Sequence, residues 1–177
     1  MEVRLIFSLV MVCLAVGIFS CTAQEANRMN GQRVDVYELG PDHLPVIFWK
    51  LDQDDYKDVE ALLSSGVDIN IRGFYAQTPV IWAAQSSNWK GVKFLIDRGA
   101  DLSLYGADGT TVAGFAKTSR LRLDSEAGRD LEQVRAILKK RGLYDDVATP
   151  KQLRDQMAAG RIPTPEPFNR NNWPPRK

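Results

Sequence analysis

The side chains that could support catalysis are few, and His43 is the first to consider. It is the only histidine of the chain, and Asp42 directly precedes it. A histidine beside a carboxylate can serve as a general base. A histidine just before a helix, however, is more often an exposed or capping residue, and neither a cysteine in the chain after the first 21 residues nor a glycine-rich phosphate loop accompanies it. We therefore expect no enzymatic activity and assign no catalytic residue.

A group of four acids raises the possibility of calcium binding. A calcium loop needs a turn glycine and a late bidentate acid in register, yet no glycine follows Asp58 before Gly66. Acids are also favourable in a loop that leads into the first turn of a helix. The sequence therefore predicts no metal site and no cofactor. The acids concerned are Asp52, Asp54, Asp55 and Asp58.

The N-terminal segment is typical of an export signal, which we place at residues 1–21. Its apolar run, 5–19, is shorter than the roughly 20 residues of a membrane-spanning helix. Residues 18–21 partly resemble a bacterial lipobox that would attach lipid to Cys21, although Phe19 stands where a small residue is preferred. Ordinary cleavage before Gln24 is the alternative. We expect a protein that is exported and either periplasmic or lipid-anchored in the bacterial envelope.

The net charge limits the classes of binding partner, and the cysteines exclude a disulfide. The formal charge of +1 favours neither nucleic acid nor an anionic membrane surface, so that membrane contact is expected only through a lipid on Cys21. Because Cys13 and Cys21 are the only cysteines, the chain after them contains no disulfide. Its stability must come from packing, and we expect a monomer.

The elements that position these side chains follow a repeat. The segment GVDIN at Gly66 returns as GADLS at Gly99, 33 residues later, and the apolar and threonine positions upstream keep the same offset. A fixed period of about 20 to 50 residues is typical of a solenoid, whose units bury their apolar faces against one another. Each unit is predicted to be a pair of helices that ends at a glycine. Thr78 is predicted to cap the second unit, with Pro79 at the first helical position.

The motifs resemble those of ankyrin repeats. QTPVIWAA at Gln77 is similar to the family's TPLHxAA segment, DGTTVAGFA at Asp108 to its DGxTALxLA variant, and GADLS to its GADxN ending. The resemblance implies an all-α fold: a short ankyrin-repeat solenoid of about three helix pairs with projecting turns. Ile81 and Gly114 depart from it, since they stand where the family often has the histidine that binds the turn threonine.

The chain divides into five predicted segments. The last unit carries nine extra residues between about 117 and 129, which requires either longer helices or an inserted loop. We expect the 144–160 helix to cover the C-terminal end of the stack and the segment before Pro41 to cover the other end. The segments are the signal (1–21), a tether (22–41), the ankyrin-repeat domain (42–143), the capping helix (144–160) and a proline-rich tail (161–177).

The aromatic residues fall into two groups. Trp49, Trp82 and Phe115 recur at intervals of 33 and are predicted to form a buried spine. Phe74, Tyr75 and Tyr105 lie in the projecting turns, which in ankyrin proteins form fingers along the concave face. Aromatic side chains on a rigid scaffold are frequent binding anchors. The predicted partner-binding residues are Arg72, Phe74, Tyr75, Gln77, Tyr105 and Asp108, with Phe168 and Trp173 of the tail as a weaker second candidate.

The function that follows from this pattern is binding of a partner protein without turnover. The protein would act as an adaptor or scaffold in the cell envelope. An immunity-type inhibitor of a toxin or lytic enzyme is the alternative. Two rivals remain: an enzyme that uses His43 or the acids, and a membrane-tethered structural stabiliser whose turns bind nothing.

Overall fold

The chain is all-α over the part that can be described. The computed structural model describes residues 28–29, 32–33 and 35–173, and in these ranges the only strands are a two-residue antiparallel pair, β1 (Arg28–Met29) and β2 (Gln32–Arg33). The predicted signal, Cys21 and most of the tether lie outside the described residues. No helix in the described ranges is long and apolar enough to cross a membrane.

The described helices repeat in length as well as in spacing. The first helix of each pair has seven residues, and these helices begin 33 residues apart. The second helices of the first two pairs have nine residues each. The helices are α1 (Val46–Asp52), α2 (Tyr56–Ser64), α3 (Pro79–Gln85), α4 (Trp89–Asp97), α5 (Val112–Thr118), α6 (Glu126–Lys140) and α7 (Pro150–Ala158).

The pairs stack side by side on one continuous core. Helix α3 packs against α1 on one side and α5 on the other, while α4 packs against α3 and α6. The aliphatic residues of these faces are almost wholly buried, for example Leu62, Leu95 and Leu138 in the second helices. Because each pair is covered by its neighbour, the core extends from one end of the stack to the other.

The glycine stops predicted at Gly66 and Gly99 are confirmed. Both adopt positive φ, +100° and +90°, which glycine reaches without a Cβ clash. The next amide in each case donates to a carbonyl of the last helical turn, from Val67 to Leu62 at 3.1 Å and from Ala100 to Leu95 at 3.0 Å. These bonds satisfy carbonyls that the helix end would otherwise leave free.

The extra residues of the last unit lengthen both its second helix and the connection before that helix. Helix α6 has 15 residues where α4 has nine. The connection before it, 119–125, is also longer than 86–88, its counterpart between α3 and α4. The last pair therefore extends beyond the helix ends of the pair before it.

The predicted buried spine is wrong for Trp49. Its side chain is 38% exposed, and Trp82 and Phe115 are only partly buried. The fully buried positions are the preceding residues, Phe48 and Ile81. A helix turns by about 100° per residue, so a shift of one position moves a side chain from the core to the edge of the helix. There, the Trp82 indole N–H donates to Asp52 Oδ1 at 2.8 Å.

The helix caps include one exception that corrects a prediction. The cap side chains of α2, α4, α5 and α6 each accept a backbone N–H of the first turn. Thr78 does not, and its buried Oγ1 has no hydrogen-bond partner among the described residues. Ile81, three residues later, has an aliphatic side chain and therefore no polar atom that could pair with this hydroxyl.

Thr78→Val and Thr111→Val are expected to have opposite effects, although the two threonines are 33 residues apart in the same repeat position. Thr78→Val removes a desolvated hydroxyl that has no partner, so the free energy of unfolding should rise by up to about 1 kcal/mol. Thr111→Val removes the acceptor of the Gly114 amide and should lower the free energy of unfolding by about 1 kcal/mol. Urea unfolding of both variants measures the difference. A loss at Thr78 as large as that at Thr111 would contradict the assignment.

Tyr56 links neighbouring pairs and is expected to make stability depend on alkaline pH. Its hydroxyl lies 2.7 Å from Asp54 Oδ1 and 2.9 Å from Asn88 Oδ1. Burial, together with the Asp54 carboxylate, raises the pKa of Tyr56 from 10.0 to about 12. Because the folded-state pKa is the higher one, this stabilisation is complete below pH 10 and is lost as the pH rises through 12.

Tyr56→Phe should therefore cost about 1 kcal/mol at pH 8 and show a smaller loss of stability than the wild type between pH 10 and 12. Urea unfolding of the two proteins across this range tests the expectation. Parallel pH profiles would mean that the Tyr56 hydroxyl does not carry the effect.

Candidate functional site

Three projecting turns repeat along one edge of the stack. We name them turn 1 (residues 40–44), turn 2 (73–77) and turn 3 (106–110). Each is closed by a bond from its first amide to its last carbonyl, and each has a residue with positive φ at its fourth position. The closing bonds are Gly40 to Leu44 at 2.8 Å, Gly73 to Gln77 at 2.8 Å and Gly106 to Thr110 at 3.0 Å, and the positive-φ residues are His43, Ala76 and Gly109.

The third position of each turn distinguishes turn 2 from the others. In turns 1 and 3 it is an aspartate that stabilises the turn: Asp42 Oδ1 accepts the Leu44 amide, and Asp108 Oδ1 accepts the Thr110 amide, each at 3.0 Å. In turn 2 it is Tyr75. The Tyr75 side chain cannot accept the backbone amide in the way that the aspartates of turns 1 and 3 do. Its presence at this position is not explained by stabilisation of the turn, which makes Tyr75 a candidate for binding.

His43 contributes to the backbone conformation of turn 1. It is exposed, and its φ of +63° matches that of Gly109 in turn 3. The Asp42 carboxylate beside it is bonded to the Leu44 amide. Among the described residues, no side-chain hydrogen bond orients the His43 ring in the way that a general base is oriented.

Arg72 connects turn 2 to the residue that precedes turn 3 through main-chain carbonyls. Its Nη1 donates to the carbonyl of Ala76 at 2.7 Å and to that of Tyr105 at 2.8 Å, and burial lowers the pKa of the guanidinium. The Ala107 amide adds a further bond, to the Tyr75 carbonyl at 2.7 Å. The side chain is thus engaged within the protein, in bonds that hold adjacent turns at a fixed distance.

Gln77 makes the second connection between the turns. It is only 2% exposed, and its Nε2 lies within hydrogen-bond distance of three acceptors. These are Gln85 Oε1 at 2.8 Å, Asp108 Oδ2 at 3.1 Å and Thr110 Oγ1 at 3.1 Å. The network holds turn 3 against the end of α3.

Phe74 and Tyr75 are the candidate residues that remain open to solvent. They are 56% and 60% exposed, and their rings meet edge to face with centroids 5.5 Å apart. The bonds made by Gly73, Gln77 and the Tyr75 carbonyl hold the backbone on both sides. Two large apolar side chains are therefore displayed by a turn that is itself fixed.

A groove adjoins this pair. Its volume is about 570 Å³. One side includes His43, Phe74 and Tyr75, and the other is formed by Pro167, Phe168 and Arg170 of the C-terminal tail. Since most of this lining is apolar, the groove suits an apolar or aromatic group of a ligand.

The position of the tail was not predicted from the sequence. Residues 161–173 run back along the turns and approach the residues before turn 1. The Tyr105 hydroxyl, one of the predicted binding groups, donates to the Pro163 carbonyl at 2.8 Å. The Trp173 ring packs between Tyr37 and Phe168, with centroid distances of 5.6 and 5.4 Å. The prolines at 163, 165 and 167 are the sequence signal of an extended segment, but they do not indicate which surface it contacts.

Helix α7 is attached to turn 3. Thr149 caps it with a capping box, and Arg154 Nη1 donates to the Asp108 carbonyl at 2.7 Å. Gly109 is so close to this helix that a Cβ would lie 2.3 Å from the Pro150 carbonyl oxygen. Asp108 is therefore bonded on both sides, to Gln77 and to Arg154.

The four acids near α1 are distributed among separate interactions. Asp55 caps α2, and Lys50 pairs with both Asp55 and Asp58. Burial raises the pKa of Asp52, although the Trp82 indole opposes this effect. Across residues 28–29, 32–33 and 35–173, no three His, Cys, Asp or Glu side chains are grouped so as to hold a metal ion.

Comparison with known proteins identifies no relative: no family model matches the chain, and no curated protein matches it. The resemblance to ankyrin repeats therefore rests on the motifs of the sequence.

Proposed function

We propose that the protein is a non-enzymatic binding protein of the ankyrin-repeat type, which holds a partner protein in the cell envelope through its projecting turns. It acts as an adaptor or scaffold after export, either free in the periplasm or anchored by lipid on Cys21. The observation that carries the proposal is the exposed Phe74–Tyr75 pair on a rigid turn beside an apolar groove.

The fixed backbone supports binding on energetic grounds. Association costs free energy for every group that it immobilises, and an aromatic side chain buries a large area for only two rotatable bonds. Arg72, Gln77 and the closing bond of turn 2 already hold the backbone that carries the aromatic pair. A partner therefore gains apolar burial without having to order the turn.

The repeat geometry supports the ankyrin-type assignment. The first helices begin at 33-residue intervals, the turns recur with the same bonds, and neighbouring pairs pack on one another. This arrangement is what the motif resemblance implies for such a family. It also places the three turns in a row, so that a partner can contact more than one of them.

Phe74→Ala with Tyr75→Ala is expected to weaken partner binding at least about tenfold, which corresponds to about 1.4 kcal/mol, because both side chains are exposed anchors. The measurement is affinity capture from the native envelope, followed by titration of the captured protein. Stability should change little, since neither side chain is buried. Leu123→Ala, which changes an equally exposed apolar residue in the 119–125 connection, is the matched control.

Three outcomes of this capture are informative. A partner that is lost with the aromatic variant and kept with the Leu123 control supports the proposal. Equal capture by all three proteins contradicts it, and unfolding of the aromatic variant would assign Phe74 and Tyr75 to the core instead. The identity of the partner separates an adaptor from an immunity-type inhibitor, since the latter would capture a toxin or a lytic enzyme.

A further inference from the structure

The C-terminal tail crosses the turns in the reverse of their order. Three hydrogen bonds join it to the residues beside them: from Tyr105 Oη to the Pro163 carbonyl at 2.8 Å, from the Phe168 amide to the Gly73 carbonyl at 3.1 Å, and from Trp173 Nε1 to the Tyr37 carbonyl at 2.8 Å. The contacts recur every five residues of tail, so one continuous segment spans all of the turns. It has no helix from 163 to 169 and passes through a short 3-10 turn, Arg170–Asn172, before Trp173.

Two of these bonds use the backbone of the tail. Any extended segment has a free carbonyl and a free amide, so these two hydrogen bonds do not depend on the side chains of the segment. Proline suits the first contact because it favours an extended backbone without internal hydrogen bonds, which leaves its carbonyl free for a donor such as the Tyr105 hydroxyl. The aromatic rings of Phe168 and Trp173 add the apolar part of the contact.

The tail uses only part of the surface that it crosses. Phe74 and Tyr75 remain more than half exposed, and the groove of about 570 Å³ between them and the tail is open. Most of the tail is itself exposed. A segment supplied by another protein could form the same backbone bonds and in addition cover the aromatic pair.

We propose that the face formed by the three turns is a receptor for an extended, proline-containing peptide segment of the partner protein, and that residues 161–173 occupy it in cis until the partner displaces them. The inference rests on the proposed function and specifies both the partner's binding segment and its regulation. A covalently attached occupant has an effective concentration of the order of millimolar, so the tail lowers the apparent affinity of the partner.

The test uses the full chain and a labelled synthetic peptide with the sequence of residues 161–173. In the variant Phe168→Ala with Trp173→Ala the cis contacts are weakened, and fluorescence anisotropy should show that the peptide binds at least about tenfold more tightly than it does to the wild type. Glu166→Ala, which alters an exposed tail residue, should leave the wild-type affinity unchanged. Adding Tyr105→Phe to the weakened variant should reduce peptide binding, because the donor to Pro163 is removed.

Two results would overturn the inference. They are equal affinities of the wild type and the weakened variant for the peptide, and no binding by a weakened variant that is folded by circular dichroism. Neither would affect the capture that depends on Phe74 and Tyr75, so the proposed function would stand or fall separately.

Folding of the weakened variant is not needed for a decision. In the wild-type chain, hydrogen exchange of the Phe168 amide should become faster when excess peptide is added, because the bond to the Gly73 carbonyl opens. If the variant does not fold and this exchange rate also stays unchanged, the tail is a structural part of the stack and the inference fails.

Discussion

Gly128→Ala is expected to lower the free energy of unfolding by about 3 kcal/mol. Gly128 is buried in the first turn of α6, and a Cβ there would lie 1.9 Å from the Arg122 carbonyl oxygen. That carbonyl is held in place by the Ser125 amide at 3.1 Å and the Ser125 hydroxyl at 2.6 Å, and the same hydroxyl accepts the Gly128 amide at 3.0 Å. The added methyl group can therefore be accommodated only by breaking the cap of α6 or by moving the 119–125 connection.

Gly114→Ala is the matched control for this change. Gly114 occupies the corresponding position of α5, but there a Cβ would meet only the Thr111 hydroxyl, at 3.1 Å. Since alanine favours helix more than glycine does, we expect either no change or a gain of up to about 1 kcal/mol. Thermal and urea unfolding of both variants give the comparison. Similar effects at the two sites would show that the 119–125 connection can move to accommodate a methyl group at little energetic cost.

Gln77→Ala should have an effect of similar size, about 3 kcal/mol, for a different reason. The substitution leaves a cavity at a buried site and deprives the partly buried Asp108 carboxylate of a donor. Turn 3 then loses its bond to α3, and the amides of 106–110 should exchange faster with solvent. Urea unfolding and hydrogen exchange measure the two consequences.

Gln85→Ala is the control for Gln77→Ala. Gln85 is exposed and accepts only one of the bonds made by Gln77, so the expected cost is below about 1 kcal/mol. Equal losses would mean that the amide of Gln77 contributes little beyond its bond to Gln85. Unchanged stability in both variants would indicate that Gln77 is available for partner binding, as the sequence alone had suggested.

The repeat and the helix ends could be predicted from the sequence because they depend on local patterns. Gly66 and Gly99 end helices through a backbone conformation that a single residue determines, and the 33-residue spacing fixes where each pair begins. The exposed position of Phe74 and Tyr75 in a projecting turn also followed from the motif. These features need no knowledge of distant contacts.

The remaining features depend on contacts between distant parts of the chain. The exposure of Trp49 depends on how α1 is rotated against α3, and a shift of one helical position moves the residue out of the core. The use of Arg72 and Gln77 within the stack appears only when turns 2 and 3 are side by side. The position of the tail depends on bonds across up to 136 residues, which no local pattern encodes.

The bond between Trp173 and Tyr37 brings the two ends of the described fold together. We therefore expect that a chain in which these two ends are joined can keep the same helix packing with a different order of helices. A circularly permuted protein, in which a short flexible linker joins residue 173 to residue 35 and new ends are opened in the 119–125 connection, would keep the helix contacts and the three turns. In such a protein the tail would become an internal loop with both of its ends attached.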